Sequence, residues 1–355
     1  MRASVLLAAV LACCAPARLC ADGFAGLGQE SPGFATVTPG AALAFPRDFG
    51  AHPGFRTEWW YLTANLRDAA GASYGVQWTL FRFALKPGPE QAGWADPIVF
   101  MGHAAVTTAS EHLFAETFAR GGVGQAGVVA TPFRAFIDDW SMESRGDAAD
   151  AGISRLSISA SDEQFRYRLN LSTDMPPIPE GDNGYSRKSE DGRASYYFSQ
   201  PFYAVEGEIA LRGEAIKVLG RAWMDREWSS QTLAPDQKGW DWFSLHLSSG
   251  EMLMLYRMRG ASGRDFILGN WIGADGATRQ LAPEDISIEP LATTTIASTT
   301  LPTRWRVIVK SHALNIETTP LNPASWMGTR FSYWEGPIRF TGSHGGEGYL
   351  EMTGY

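Results

Sequence analysis

The sequence predicts an all-β protein built as two antiparallel barrel domains packed together, and three observations predict it. Glycine (38) and proline (20) interrupt the 355 residues too often for long helices. Short runs of alternating apolar residues, bounded by Gly, Asp and Ser turns, recur down the chain. One Trp-bearing hairpin is written twice, 181 residues apart. With 45% hydrophobic, 12% aromatic and only 19% charged residues, the chain can bury a large core and is not disordered. Thirty basic against 38 acidic residues leave a net charge of −8 with no basic block, which argues against nucleic-acid partners and a polybasic membrane anchor.

Taken in order, residues 1–21 read as a cleaved export signal. Arg2 precedes an apolar stretch, Ala3 to Ala15, that is too short to span a bilayer, and Leu19-Cys20-Ala21 or Ala15-Pro16-Ala17 offers a small-residue cleavage site. The expected location is periplasmic or secreted; a lipoprotein is the runner-up, because Val10-Leu11-Ala12-Cys13 half matches a lipobox. Cys13, Cys14 and Cys20 all lie in this segment, so cleavage after Ala21 leaves a chain without thiols. Residues 22–55, rich in Gly, Pro and Ala, read as an extended lead-in. Strands follow at Trp59 to Leu66, Gly75 to Leu85, Ile153 to Ala160, Phe165 to Leu171, Tyr203 to Leu211, Ile216 to Trp223, Trp242 to Leu247, Met252 to Arg259, Trp305 to Val309 and Gly348 to Thr353. Ser110 to Ala119 suits either a short capped helix or a strand with a bulge. The division falls into an N-terminal domain, 56–220, and a C-terminal domain, 221–355.

The repeated hairpin pairs Trp59 to Leu66 with Trp240 to Leu247, each followed by a turn and a strand ending in Phe81-Arg82 or Tyr256-Arg257. Because side chains alternate along a strand, Tyr61, Thr63 and Asn65 share one face, as do Trp242, Ser244 and His246. Both faces carry apolar or aromatic groups. One is expected to pack on a core, and the other to line a lumen or meet the partner domain. Indole and phenol groups suit the border of a greasy cavity, although plain core packing explains the same letters.

Six motifs then carry a resemblance: Thr57-Glu58-Trp59-Trp60-Tyr61, Gly102-His103-Ala104-Ala105-Val106, Tyr196 to Pro201, Asp225-Arg226-Glu227-Trp228-Ser229-Ser230-Gln231, Gly239 to Phe243 and Gly348 to Tyr355. In order over residues 45–355, they resemble the AttH-like lipocalin family, which includes the carotenoid 1,2-hydratases. The resemblance implies two lipocalin-like β-barrels, export to the envelope and a hydrophobic or isoprenoid-type ligand; relatives are often described as predicted secreted hydrolases. The hydratase branch carries a His-x-Trp and a Tyr-x-Asp. Here the matching positions read Arg226-Glu227-Trp228 and Tyr256-Arg257-Met258, so the Trp and Tyr are kept and the His and Asp are not.

Asp225 and Glu227 remain as candidate catalytic acids, two apart and so on one face of a regular strand. The competing structural reading is an Asp-Arg-Glu ion-pair cluster at the domain junction, joined by Glu58 or Arg82. Candidate ligand-binding residues are Glu58, Trp59, Tyr61, His103, Arg226, Trp228, Gln231, Trp242 and Tyr256. The six histidines show no metal-binding spacing, and no metal or cofactor is expected. Gly71-Ala72-Ser73-Tyr74-Gly75 fits G-x-S-x-G but stands at a hairpin turn between strands, without the strand-to-helix elbow a nucleophile needs. Three functions fit: a carrier of a hydrophobic small molecule, which leads; a hydratase, hydrolase or isomerase acting on one; and an accessory protein of an envelope transporter. Oligomeric state is not legible.

Overall fold

The computed structural model describes residues 27, 32–146, 152–231 and 233–355; the expected export signal lies outside them. The first sheet is built from β1 (Thr57–Arg67), β2 (Ser73–Ala84), β3 (Ile98–Thr107), β4 (His112–Arg120), β5 (Ala126–Ala130), β6 (Phe133–Ile137), β7 (Trp140–Ser144), β8 (Arg155–Ser161), β9 (Phe165–Ser172), β10 (Ile178–Pro179), β11 (Tyr185–Arg187), β12 (Ala194–Leu211) and β13 (Glu214–Ser229). The second comprises β14 (Gln237–Leu247), β15 (Met252–Gly260), β16 (Phe266–Ile272), β17 (Thr278–Leu281), β18 (Ile286–Ile296), β19 (Thr299–Val309), β20 (Leu314–Pro320), β21 (Trp326–Met327), β22 (Tyr333–Gly342) and β23 (Gly346–Thr353). The fold is all-β, as expected. Ser110 to Ala119 resolves in favour of a strand, β4.

The two sheets share one logic. In each, a meander runs outward from the first strand (β1-β2-β3-β4; β14-β15-β16-β17), while the last strand returns to pair with the first on its other edge, β13 on β1 and β23 on β14. This curls each sheet into a barrel and puts the twin Trp strands at the centre of each. The chain crosses from one sheet to the other between Ser229 and Gln237, so the 220/221 division read from the sequence falls inside β13. The strong turn signal lies earlier, at the β12–β13 hairpin, where Arg212 and Gly213 both take positive φ (48° and 89°).

Alternation sorts the side chains. On β1, Trp60, Leu62, Ala64 and Leu66 enter the first barrel with Trp78, Leu80 and Phe198, while residues of the lead-in, Phe34, Val37, Leu43 and Phe49, pack on the same cluster. On β14, Phe243, Leu245 and Leu247 enter the second barrel with Trp305 and Trp334. Both interiors are filled by their own side chains. The opposite faces meet each other: Tyr61, Tyr197 and Trp223 join Trp242, Met254, Tyr256 and Tyr349 in a third cluster between the barrels. Of the two expectations for the second aromatic face, the partner domain is the one realised. The approach is close, since a Cβ on Gly75 would lie 2.4 Å from the Tyr349 hydroxyl.

Candidate functional site

Where the outer faces of the two barrels do not touch, they leave a cleft of about 910 Å³, open mouth included. The first sheet contributes Trp59, Tyr61, Phe81, Phe83 and Met101; the second contributes Trp240, Trp242, Tyr256 and Met258, with Phe331 from the loop before β22. Among these apolar walls stand Lys188, Asp225, Glu227 and Glu351. An apolar cavity with a few convergent polar groups is the usual form of a small-molecule site.

Pairing register places the acids. On β13, Asp225 lies opposite Tyr61 and Glu227 opposite Trp59 of β1, with Ser199 and Tyr197 of β12 on their other side. The Asp225 carboxylate accepts three hydrogen bonds, from the Tyr197 hydroxyl (2.6 Å), the Ser199 hydroxyl (2.6 Å) and the Trp223 indole N–H (2.7 Å). Burial nevertheless pushes its pKa up to about 7, because loss of water outweighs the three donors. A carboxyl poised near neutrality can take or give a proton at physiological pH. Trp242 donates its N–H to the Tyr197 hydroxyl at 3.2 Å, tying this network to the second barrel.

Beside Asp225, the Lys188 ammonium pairs with Glu227 Oε1 at 2.9 Å and donates to Ser186 Oγ at 3.2 Å. It also lies over the rings of Tyr256 (4.3 Å) and Tyr197 (4.8 Å). The adjacent Glu227 raises the lysine pKa despite burial, so the cleft keeps one fixed cation. Behind this group, Asn270 donates to the buried Glu180 carboxyl at 2.7 Å, and burial together with the nearby Asp225 pushes Glu180 up to about 8. On the opposite wall, Glu335 and Glu351 are cross-strand neighbours on β22 and β23. Tyr61 donates to Glu335 at 2.5 Å and Trp240 to Glu351 at 2.5 Å. Burial and their mutual repulsion hold Glu335 protonated well above the usual carboxylate range.

Of the residues singled out from the sequence, Trp59, Tyr61, His103, Asp225, Glu227, Trp242 and Tyr256 line this cleft together. Glu58, Arg226 and Trp228 do not. They alternate onto the inner face, where Arg226 binds Glu58 at 2.5 Å, Arg82 reaches the other Glu58 oxygen at 3.1 Å, and Trp228 stacks on His52. The Asp-Arg-Glu cluster thus divides: Arg226 pairs with Glu58 inside the barrel, while its neighbours Asp225 and Glu227 face the cleft, since adjacent strand residues point to opposite sides. Gln231 borders a separate smaller hollow with Phe34 and Arg193. Sequence reading missed Lys188, Tyr197, Glu351 and Tyr333. Tyr197 and Glu351 stood within motifs already singled out, Tyr196 to Pro201 and Gly348 to Tyr355. Lys188 carried no local signal, because the carboxylate it pairs with, Glu227, is 39 residues away and the Tyr256 ring beneath it 68.

Two filled barrels joined over an aromatic cleft define the architecture, and comparison with known proteins assigns it. Residues 36–355 match the AttH-like family, and the chain belongs to it. A protein of Nitrosomonas europaea assigned to AttH is 35% identical over 91% of this chain and 99% of its own, with a TM-score of 0.81. Kievitone hydratase from Nectria haematococca shares the fold at 15% identity, over 92% of this chain and 98% of its own, TM-score 0.69. CghA, solved with Sch210972, does so at 12% identity, over 92% and 97%, TM-score 0.53. No curated protein matches the sequence significantly.

Proposed function

We propose that this protein binds a largely apolar small molecule, lipid or isoprenoid in type, in the cleft between its barrels and exchanges a proton with it through Asp225. One observation carries the reading: an aromatic-walled cleft holds a buried carboxyl, Asp225, whose pKa lies near 7 and whose orientation is fixed by Tyr197, Ser199 and Trp223. As a carboxylate, Asp225 is a general base for an O–H or activated C–H of the bound molecule. The Lys188 ammonium is a donor for an oxygen that gains charge as the proton leaves. The carotenoid-hydratase positions do not supply this chemistry, since Arg226 points into the barrel and Met258 has no proton to give. That relatives of the same fold are named a hydratase and solved with Sch210972 supports a small-molecule role.

The test is organic extraction and mass spectrometry of protein purified from a Gram-negative host, followed by titration of its Trp fluorescence with the extracted compounds. The expected result is a co-purifying apolar compound that quenches Trp emission, is converted by the wild type, and is bound but not converted by Asp225→Asn. An empty protein with unresponsive emission overturns the binding reading; conversion by Asp225→Asn at the wild-type rate removes Asp225 from the chemistry. Export to the periplasm or medium belongs to the same proposal, rests on residues 1–21 alone, and is checked by their absence from the purified protein.

A further inference from the structure

A line of hydrogen-bonding side chains runs from the protein surface to the buried acids behind the cleft. Glu116, on β4 with its side chain one-fifth exposed, meets His103 Nε2 at 3.0 Å. The other ring nitrogen, His103 Nδ1, meets the Tyr333 hydroxyl at 2.9 Å. Tyr333 is in turn a hydrogen-bond partner of Glu335, which sits beside Glu351 on the neighbouring strand. Four strands from both barrels, β4, β3, β22 and β23, contribute. His103 is held between the Tyr333 and Phe81 rings (5.6 and 5.3 Å), so it keeps the orientation that puts one nitrogen toward each neighbour.

We propose that Glu116, His103 and Tyr333 form a proton path that exchanges protons between solvent and the buried Glu335. The sequence balances. Glu335 gives its carboxyl proton to the Tyr333 oxygen as Tyr333 gives its own to His103 Nδ1, and the proton on Nε2 moves to the Glu116 carboxylate and on to water. The same steps in reverse bring a proton back from water, so that every group, including the His103 tautomer, ends as it began and the Glu335 proton has been exchanged. The groups facing His103 from each side are Glu116 and Tyr333, with the Arg330 backbone N–H donating to Glu116 at 3.0 Å. Glu351 lines the cleft, whereas Glu335 is 1% exposed and lies behind Tyr61 and Tyr333. A path of this kind lets Glu335, beside the cleft-wall acid Glu351, recover its proton while a bound molecule keeps water out.

The inference does not depend on what the cleft binds, so its test uses the full-length protein without added ligand. After rapid mixing into D2O, infrared spectroscopy follows the carboxylic C=O band, assigned to Glu335 by its loss in Glu335→Gln. Tyr333→Phe and His103→Phe are expected to slow H/D exchange of this band at least tenfold. Tyr203→Phe, which removes a buried hydroxyl bonded to the Ile153 carbonyl, off the path and outside the cleft, is expected to leave the rate unchanged. Wild-type exchange rates in Tyr333→Phe with the band intact overturn the path. So does slowing by Tyr61→Phe alone, which would place proton entry at the cleft.

Discussion

At the scale of single residues, the site is defined by what desolvation does to carboxyls. Asp225 is pushed up to about 7 and Glu180 to about 8, each mainly by burial. Between the unfolded carboxyl pKa near 4 and these folded values, the native state binds more protons than the unfolded chain. Stability therefore falls as pH rises through that window. For Asp225 this loss of native-state stability is complete once pH has risen past about 7 and the carboxyl is ionised. Asp225→Asn removes the titration, and its stability is expected to decline less steeply than the wild type's between pH 4.5 and 8. Urea denaturation across that range measures the difference. Parallel curves for the two proteins would show that Asp225 is not held near neutrality by its surroundings.

At the scale of the strand, one register decides two unrelated tasks. Along β13, Asp225 and Glu227 serve the cleft, while Arg226 serves the barrel interior through Glu58 and Arg82. Period-two alternation in the sequence already implied that Asp225 and Glu227 share a face and Arg226 does not. The sequence reading also names Glu58 or Arg82 as a companion of this cluster, and both meet at Arg226's side of the strand. What it could not supply was Lys188, which reaches the strand from 39 residues away, since pairing at such separation leaves no local pattern. The twin hairpins were legible for the opposite reason: their strands are adjacent in sequence and their aromatic spacing is written out twice. Glu58→Gln leaves the buried Arg226 guanidinium short of its counter-charge, while Arg82 keeps Glu90 at 2.9 Å, and is expected to cost about 3 kcal/mol. Because the pair lies on the inner face, the folded variant should keep the wild-type Trp-fluorescence response to cleft ligands. Lost response in a variant that still folds would mean that the two faces of β13 are not independent.

At the scale of the whole molecule, the cleft exists only because two barrels are joined, and the joint is built from both apolar and polar contacts. Asn65 donates to the Gly348 carbonyl at 3.0 Å, Arg67 pairs with Glu347 at 2.6 Å, and His246 meets the Pro201 carbonyl at 2.8 Å. Around these lie Trp242, Met254, Tyr256 and Tyr349, all at most 7% exposed with the barrels together. Such a face, if uncovered, would be an apolar patch of the sort that soluble monomers avoid, and each buried aromatic contributes roughly 1.5–3 kcal/mol that separation would forfeit. Independent unfolding of either barrel would also strand Glu335, Glu180 and His246 without partners contributed by the other. The two domains are therefore expected to unfold as one cooperative unit. Far-ultraviolet circular dichroism and Trp fluorescence should trace coincident transitions in denaturant, with a single calorimetric peak. Two resolved transitions would mean that each barrel holds its shape alone and that the interface adds little to stability, leaving the cleft free to open by separation of the domains.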